Sequence, residues 1–119
     1  MVEKPFDIKE RSYIFGIQVI KLLKLLPKNT ASFVISDQLI RSAMSIGANI
    51  AEGSAASSKK DFINFYNHAL KSAVETVFWL RALVDSELLE KSRVDPFIKE
   101  ASELSKILGS IVSKSKDRR

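Results

Sequence analysis

Three prolines divide the chain into segments, and their placement is the strongest constraint on its fold. Pro5, Pro27 and Pro96 lie at the edges of segments with helical periodicity and never inside one. A proline inside a helix costs on the order of 3 kcal/mol, so the stretches between the prolines are free to be helical. Asn-Gly and Asp-Gly turns and long alternation of apolar and polar residues, which indicate hairpins, do not occur in the sequence. We therefore expect an all-α fold.

Apolar residues recur every three to four positions in four segments, the spacing of one face of a helix. This pattern predicts helices over residues 7–26, 32–52, 59–85 and 95–113. Four amphipathic helices with short connections predict a single up-and-down four-helix bundle over residues 1–113. Residues 114–119 are rich in Lys, Arg and Ser, which predicts a basic, disordered tail.

Several residues predict where these helices begin and end. Gly53 is the expected C-terminal cap of the second helix. Ser58 and Asp61 resemble a capping box at the start of the third helix, with Asp in place of the usual Glu. Asp95 is the expected N-cap of the fourth helix, because Pro96 then occupies the favoured first helical position.

The first two helices each have a second apolar stripe that a monomeric bundle does not need. Such a stripe must contact another chain or remain exposed, and large exposed apolar patches are uncommon on monomers. We therefore expect a homo-oligomer, although the same residues could instead line the shoulders of one core. The expected oligomer contacts are Tyr13, Ile17, Ile20, Ile40 and Met44.

The charge balance is compatible with nucleic-acid binding but does not demand it. The chain has 19 Lys and Arg against 14 Asp and Glu, a net charge of +5. Much of this surplus lies in the tail, so a monomer would attract polyanions weakly, whereas a ring of subunits would multiply each basic patch. An ordinary solubilising surface is the alternative. The candidate contacts are Lys9, Arg11, Lys21, Lys24, Lys28, Lys59, Lys60, Lys114, Lys116, Arg118 and Arg119. Tyr13 and Trp79 would stack on bases only if they are exposed.

Residues that carry catalysis or bind cofactors are scarce. The absence of cysteine excludes disulfides, thiol nucleophiles and zinc ribbons, and the four glycines are too dispersed for a phosphate or dinucleotide loop. A di-iron bundle needs two Glu-x-x-His pairs, but the single histidine, His68, has Phe65 three residues before it. We expect no cofactor, no metal and no enzymatic activity. An acid–base pair of His68 and Glu75, seven residues apart, is the less favoured alternative to a solvated polar strip.

The apolar runs are too short to span a bilayer, and nothing resembles a signal peptide, so a cytoplasmic location without membrane contact is expected. Glu100 and Glu103 are expected on an exposed charged face beside Lys99 and Lys106.

A polar strip runs along the second helix between its apolar stripes. Two interpretations remain open for it. The first is a structural network in which Arg41 contacts a carboxylate such as Glu75 on the third helix, which would fix the register of the helices. The second is a binding surface.

Residues 38–53 resemble the signature of the four-helix bundle protein family. The most specific part is Ser-Ile-x-x-Asn-Ile-Ala-Glu-Gly at residues 45–53. That family includes proteins encoded in intervening sequences of bacterial large-subunit ribosomal RNA genes and the accessory variability proteins of diversity-generating retroelements. The matching polar residues are Gln38, Arg41, Asn49, Glu52, Ser72 and Glu75. Their position beside small residues predicts polar contacts between helices.

The resemblance implies a bundle that assembles into a ring, commonly a pentamer, with a basic surface. Retroelement members associate with a reverse transcriptase and its RNA. Our first hypothesis is therefore a non-enzymatic oligomeric scaffold that binds nucleic acid, with RNA favoured over DNA. The alternative is an adaptor that docks a partner such as a polymerase or reverse transcriptase and binds little nucleic acid alone.

Overall fold

The computed structural model describes residues 7–117, which contain four helices and no strand. The helices are α1 (Ile8–Leu23), α2 (Thr30–Ser54), α3 (Lys59–Asp85) and α4 (Lys91–Asp117). The predicted all-α class is confirmed, and α3 has the range that its apolar pattern predicts.

Consecutive helices pack side by side in antiparallel order. The α2–α3 pair shows this order directly, because Gly53 lies against Tyr66 at one end while Ser42 contacts Thr76 further along. α3 packs along α4 in turn, and α1 packs along α2 but makes few contacts with α4. α1 has 16 residues and is about 24 Å long, whereas the other three helices are about 40 Å long. α1 therefore covers only part of the bundle.

The core is built from aliphatic side chains and alanines that are fully shielded from solvent. The largest of them are Val19, Leu39, Ile46, Ile50, Leu80, Leu83, Leu104 and Leu108. Ala43, Ala69, Ala73 and Ala101 are also fully buried, which lets the helices approach closely. The rings of Phe15 and Phe97, with centroids 6.3 Å apart, join α1 to α4.

α4 begins earlier than its sequence predicts, so the prediction of Asp95 as its N-cap is wrong. The helix starts at Lys91, and Pro96 lies inside it. Val94 is fully buried, and its burial stabilises the extra turn by about 1.5 kcal/mol or more. The side chain of Asp95 instead accepts a hydrogen bond from Lys91 Nζ at 2.6 Å. Burial of the first turn thus offsets the hydrogen bond that the proline removes.

Four other helix ends differ from the predictions. α2 begins at Thr30, after the Asn29 cap, rather than at residue 32. Gly53 lies inside α2 and is not its cap. α1 ends at Leu23 because the next residues form a turn, in which the amide of Leu25 donates to Leu22 O at 3.0 Å. α4 continues to Asp117, so Lys114 and Lys116 belong to a helix rather than to a disordered tail. Arg118 and Arg119, the rest of the predicted tail, lie outside the described residues.

The end of α3 has a feature that its sequence does not reveal. Glu87 has a φ of 62°, the left-handed conformation usually taken by glycine. The amide of Glu87 donates to Val84 O at 3.0 Å, and the amide of Leu88 donates to Leu83 O at 3.1 Å. These two bonds form a Schellman motif with a glutamate where glycine is favoured.

We expect Glu87→Gly to raise the free energy of unfolding by about 1 kcal/mol, because glycine removes the strain of the left-handed conformation. Chemical denaturation measures this change. Glu87→Ala is the control, since it removes the charge but keeps the strained Cβ, and it should give little gain. An equal gain in both variants would show that charge, not backbone strain, is responsible.

Candidate nucleic-acid interface

Most of the predicted nucleic-acid contacts have their charge at the surface. Eight lysines among them are exposed, and the ion pairs found within residues 7–117 involve other side chains. These lysines are Lys9, Lys21, Lys24, Lys28, Lys59, Lys60, Lys114 and Lys116. Their ammonium groups are therefore available to phosphates.

The exposed lysines are divided between the two ends of the bundle. Lys21, Lys24 and Lys28 follow the end of α1 and its connection to α2. Because α3 and α4 are antiparallel, the start of α3 with residues 59–60 lies at the opposite end, together with residues 114–116 at the end of α4. The structure does not gather all the predicted contacts into one patch.

Arg11, also a predicted nucleic-acid contact, is the exception, because its charge is engaged inside the bundle. Its Nε and Nη2 donate to the two carboxylate oxygens of Glu100, each at 2.8 Å, and Nη2 also donates to Glu103 Oε2 at 2.6 Å. The side chain of Arg11 is only 14% exposed. The hydrogen bond to Glu100 raises the pKa of Arg11 above its ordinary value, although burial opposes this shift. Arg11 therefore joins α1 to α4 and is not free to bind phosphate.

This ion pair also corrects the interpretation of the two glutamates. Glu100 is 18% exposed and Glu103 is 41% exposed, so they are not simply members of a solvated face. Arg11 lies 89 residues from Glu100 in the sequence. A pairing over that distance leaves no local signal, which is why sequence reasoning missed it.

The predicted contact between Arg41 and Glu75 is also absent from the described part of the chain. Arg41 Nε donates to Asp37 Oδ2 at 3.0 Å on its own helix, and its side chain is 74% exposed. Glu75 Oε2 accepts a hydrogen bond from Trp79 Nε1 at 2.9 Å. Each residue thus has a partner one turn away on its own helix.

Hydroxyl groups, rather than charges, connect α2 and α3. Ser72 Oγ donates to Ser45 Oγ at 3.0 Å, and Thr76 Oγ1 lies 2.9 Å from Ser42 Oγ. Asn49 Nδ2 donates to the carbonyl oxygen of Ser45 at 2.8 Å, within α2. Of the signature residues, Ser72 makes a polar contact between the two helices. Asn49 donates a hydrogen bond to Ser45, the residue that Ser72 contacts. Gln38 is half-buried and Glu52 is exposed.

Exposure separates the two aromatic residues that were expected to stack on bases. Tyr13 is 56% exposed, so it meets the condition for stacking. Trp79 is half-buried and packs against the core. Phe78, its neighbour on α3, is 63% exposed, and its ring lies edge-on to the Trp79 ring with the centroids 5.0 Å apart.

The expected oligomer contacts divide into two groups. Met44 packs against α1, because a Cβ added to Gly16 would lie 2.6 Å from Met44 Sδ, and Ile40 packs against the core. Ile17 and Ile20 are half-buried on α1, beside exposed Tyr13. Only the α1 residues of the predicted interface therefore present an apolar surface that this chain does not itself use.

On the outer face of α3, Val74 and Phe78 form a second exposed apolar pair that sequence reasoning missed.

The side chains considered for catalysis are not arranged as an acid–base pair. His68 is exposed, whereas Glu75 is engaged by Trp79. Within residues 7–117, no group of three or more His, Asp and Glu side chains is placed to hold a metal ion. In the same range, no helix combines the length and apolarity that crossing a membrane requires.

Comparisons with known proteins agree with the architecture. One solved structure is similar with a TM-score of 0.83 and 39% sequence identity, covering 89% of this chain and 98% of the other. It is a protein of unknown function from the S23 ribosomal protein family of Bacteroides thetaiotaomicron. No curated protein matches the sequence. The family described as 23S rRNA-intervening sequence protein matches residues 4–110. Because that match spans most of the sequence, the chain belongs to the 23S rRNA-intervening sequence protein family.

Proposed function

We propose that this protein is a non-enzymatic, oligomeric scaffold that binds nucleic acid, with RNA favoured over DNA. The observation that carries the proposal is the set of eight exposed lysines outside the ion pairs of the described residues. The family description supports RNA as the ligand, since it names an intervening sequence of 23S rRNA. A cytoplasmic location belongs to the same proposal, since RNA of this class is intracellular.

Phosphate binding by these lysines has a defined physical basis. Each lysine that neutralises a phosphate releases condensed counterions, so affinity depends on the number of contacts and falls as salt rises. One protomer divides its lysines between two ends, which limits how many can reach one RNA. An oligomer places equivalent lysines of several protomers on one assembly and raises that number.

The exposed apolar surface supports self-association as part of the proposal. Tyr13 is 56% exposed and Ile14 is 40% exposed, and Ile17 and Ile20 extend the same side of α1. A ring, with a pentamer as the expected size, would cover this surface. Light scattering on the full chain should give several times its 13.3 kDa mass. A monomer at micromolar concentration would contradict the ring.

Co-purification tests the proposed RNA binding. The protein, isolated at low salt, should carry nucleic acid that ribonuclease digests and high salt releases. Nucleic acid that only deoxyribonuclease removes would transfer the proposal from RNA to DNA. Protein free of nucleic acid at low salt would contradict it.

An adaptor function is the second candidate, and the outer face of α3 favours it. Val74 is 59% exposed and Phe78 is 63% exposed, one helical turn apart. Such a pair is suited to an apolar contact with a protein partner, for example a polymerase or reverse transcriptase. If the protein purifies without nucleic acid, Val74→Ser with Phe78→Ser should abolish capture of that partner and leave the oligomer unchanged.

A further inference from the structure

The basic residues of this chain differ in their separation, along the sequence, from the nearest acidic residue. Almost every lysine and arginine has an Asp or Glu within four positions in the sequence. Three lysines do not, namely Lys21, Lys24 and Lys28. They belong to a stretch of 26 residues, 11–36, that has four basic residues and no acidic one. The fourth basic residue is Arg11, whose charge Glu100 and Glu103 neutralise.

The other exposed lysines have compensating charges beside them. Lys59 and Lys60 share the first turn of α3 with Asp61, and Lys114 and Lys116 precede Asp117 at the end of α4. Lys9 lies between two acids in the same way. The positive potential is therefore expected to be largest around the acid-free lysines.

Acidic residues do occur at the same end of the bundle, on α3 and the connection to α4. Those residues are Asp85, Glu87 and Glu90. They are exposed, and none of them forms an ion pair with the three acid-free lysines. Towards the same end, Asp37 on α2 and Asp95 on α4 pair with Arg41 and Lys91 of their own helices. The acid-free lysines thus keep their charge for an external ligand.

The connection between α1 and α2 places apolar side chains beside these lysines. Asn29 caps α2 by accepting a hydrogen bond from the amide of Ser32 at 2.9 Å. Lys28 therefore precedes the cap, and Phe33 is the fourth residue of the helix, so both lie at the start of α2. Phe33 is 63% exposed, and Leu25 in the preceding turn is 53% exposed. We call the set of Lys21, Lys24, Leu25, Lys28 and Phe33 the α1–α2 corner.

We propose that the α1–α2 corner is the principal phosphate-binding surface of the protein and that Phe33 stacks on an unpaired base. This inference rests on the proposed RNA-binding function and names its site and its preferred ligand, single-stranded RNA. The lysines supply contacts with the phosphate backbone, and an exposed aromatic ring supplies stacking that tolerates any base. Bases in a duplex are already stacked, so Phe33 gives a preference for unpaired segments.

The lysine test compares two matched triple variants of the full chain. One carries Lys21→Gln, Lys24→Gln and Lys28→Gln, and the other carries Lys59→Gln, Lys60→Gln and Lys114→Gln at the opposite end. Anisotropy of a labelled, unstructured oligouridine measures affinity at about 50 and 200 mM salt.

In the corner variant, the slope of the logarithm of the association constant against the logarithm of salt should become shallower by about 2 for each protomer that contacts the RNA, since each phosphate contact with a single strand contributes about 0.7. With one such protomer, the wild type loses roughly 20-fold more affinity than the corner variant over that salt range. The opposite-end variant should change the slope much less. An equal or larger loss in the opposite-end variant would overturn the inference while leaving RNA binding intact. If the wild type does not bind the RNA, the proposed function itself fails, and binding to anionic vesicles instead would identify a lipid surface as the ligand.

Stacking by Phe33 requires its own comparison. Phe33→Leu keeps an apolar side chain but removes the ring, and should weaken RNA binding by about 5-fold or more. Phe33→Trp should retain the wild-type affinity, and Val34→Ala, at a neighbouring exposed position, should leave it unchanged. Light scattering of each variant monitors assembly. If Phe33→Leu alters the oligomer mass or binds RNA like the wild type, the stacking role is overturned.

Discussion

Replacing Gly53 with alanine should lower the free energy of unfolding by about 1 kcal/mol, although glycine to alanine within a helix is usually stabilising. A Cβ at position 53 would lie 2.7 Å from Cδ1 and 2.8 Å from Cε1 of Tyr66, and 3.0 Å from Cβ of Phe65. Forcing a methyl group into a closely packed site costs about 1–3 kcal/mol. The gain in helix propensity, about 1 kcal/mol, offsets only part of this cost.

Tyr66 cannot readily move away from the added methyl group. It is 5% exposed, and its ring stacks on Phe62 with centroids 4.2 Å apart. Its hydroxyl lies 2.8 Å from Ser54 Oγ at the end of α2. These contacts fix the ring from both sides, so the strain must be taken up by the α2–α3 pair.

Gly109 provides the matched control for this substitution. It lies inside α4, and a Cβ at this position would meet nothing within 4 Å. Gly109→Ala should therefore raise the free energy of unfolding, by up to about 1 kcal/mol. Urea denaturation of both variants measures the difference. Stabilisation by both substitutions would contradict the close contact between Gly53 and Tyr66.

Replacing Arg11 with methionine should lower the free energy of unfolding by about 2 kcal/mol. Hydrogen bonds to charged groups contribute about 1.5–3 kcal/mol, and methionine cannot donate any of them. Arg11 donates three such bonds, to Glu100 and Glu103. Because α1 and α4 share few other contacts, these bonds are a main connection between the first and last helices.

The pH dependence and a conservative variant sharpen this prediction. The pKa of Arg11 is higher in the folded state than in the unfolded state. Its contribution to the free energy of unfolding is therefore fully present below the unfolded pKa and is lost as the pH rises through the folded pKa. The destabilisation by Arg11→Met should therefore be constant from about pH 7 to 9. Arg11→Lys should be intermediate, because an ammonium cannot reproduce the two-pronged contact with Glu100. Lys24→Met is the control, because Lys24 is exposed and forms no ion pair with another residue of the described chain. If Lys24→Met lowers the free energy of unfolding as much as Arg11→Met does, the ion pair of Arg11 is not the cause.

The helices could be predicted because their signal is local. The apolar period and the Ser58 cap define α3, and Ser58 Oγ accepts the amide of Asp61 at 3.1 Å as its spacing implies. Helix ends that depend on tertiary burial could not be predicted. α4 starts before Asp95 because Val94 is buried in the core. Gly53 does not cap α2, and its lack of a side chain allows Tyr66 to pack against the helix.

The same distinction between local and long-range signals applies to the candidate site. That lysines are exposed can be inferred from sequence, because their charge keeps them in water. Which charges are already neutralised depends on contacts between distant segments, as with Arg11 and Glu100. Arg41 shows the opposite error, since Asp37 one turn away satisfies it and makes a partner on another helix unnecessary. The role of the exposed lysines in RNA binding stays a prediction.

The most direct test of that role is the salt dependence of RNA binding by the wild-type protein. The logarithm of the association constant for single-stranded RNA is plotted against the logarithm of the salt concentration, from about 50 to 200 mM. We expect a straight line with a slope of about −2 or steeper, the value for at least three lysines on phosphates. Weak binding with a slope near zero would show that phosphates are not the ligand, and would contradict an RNA-binding function for this surface.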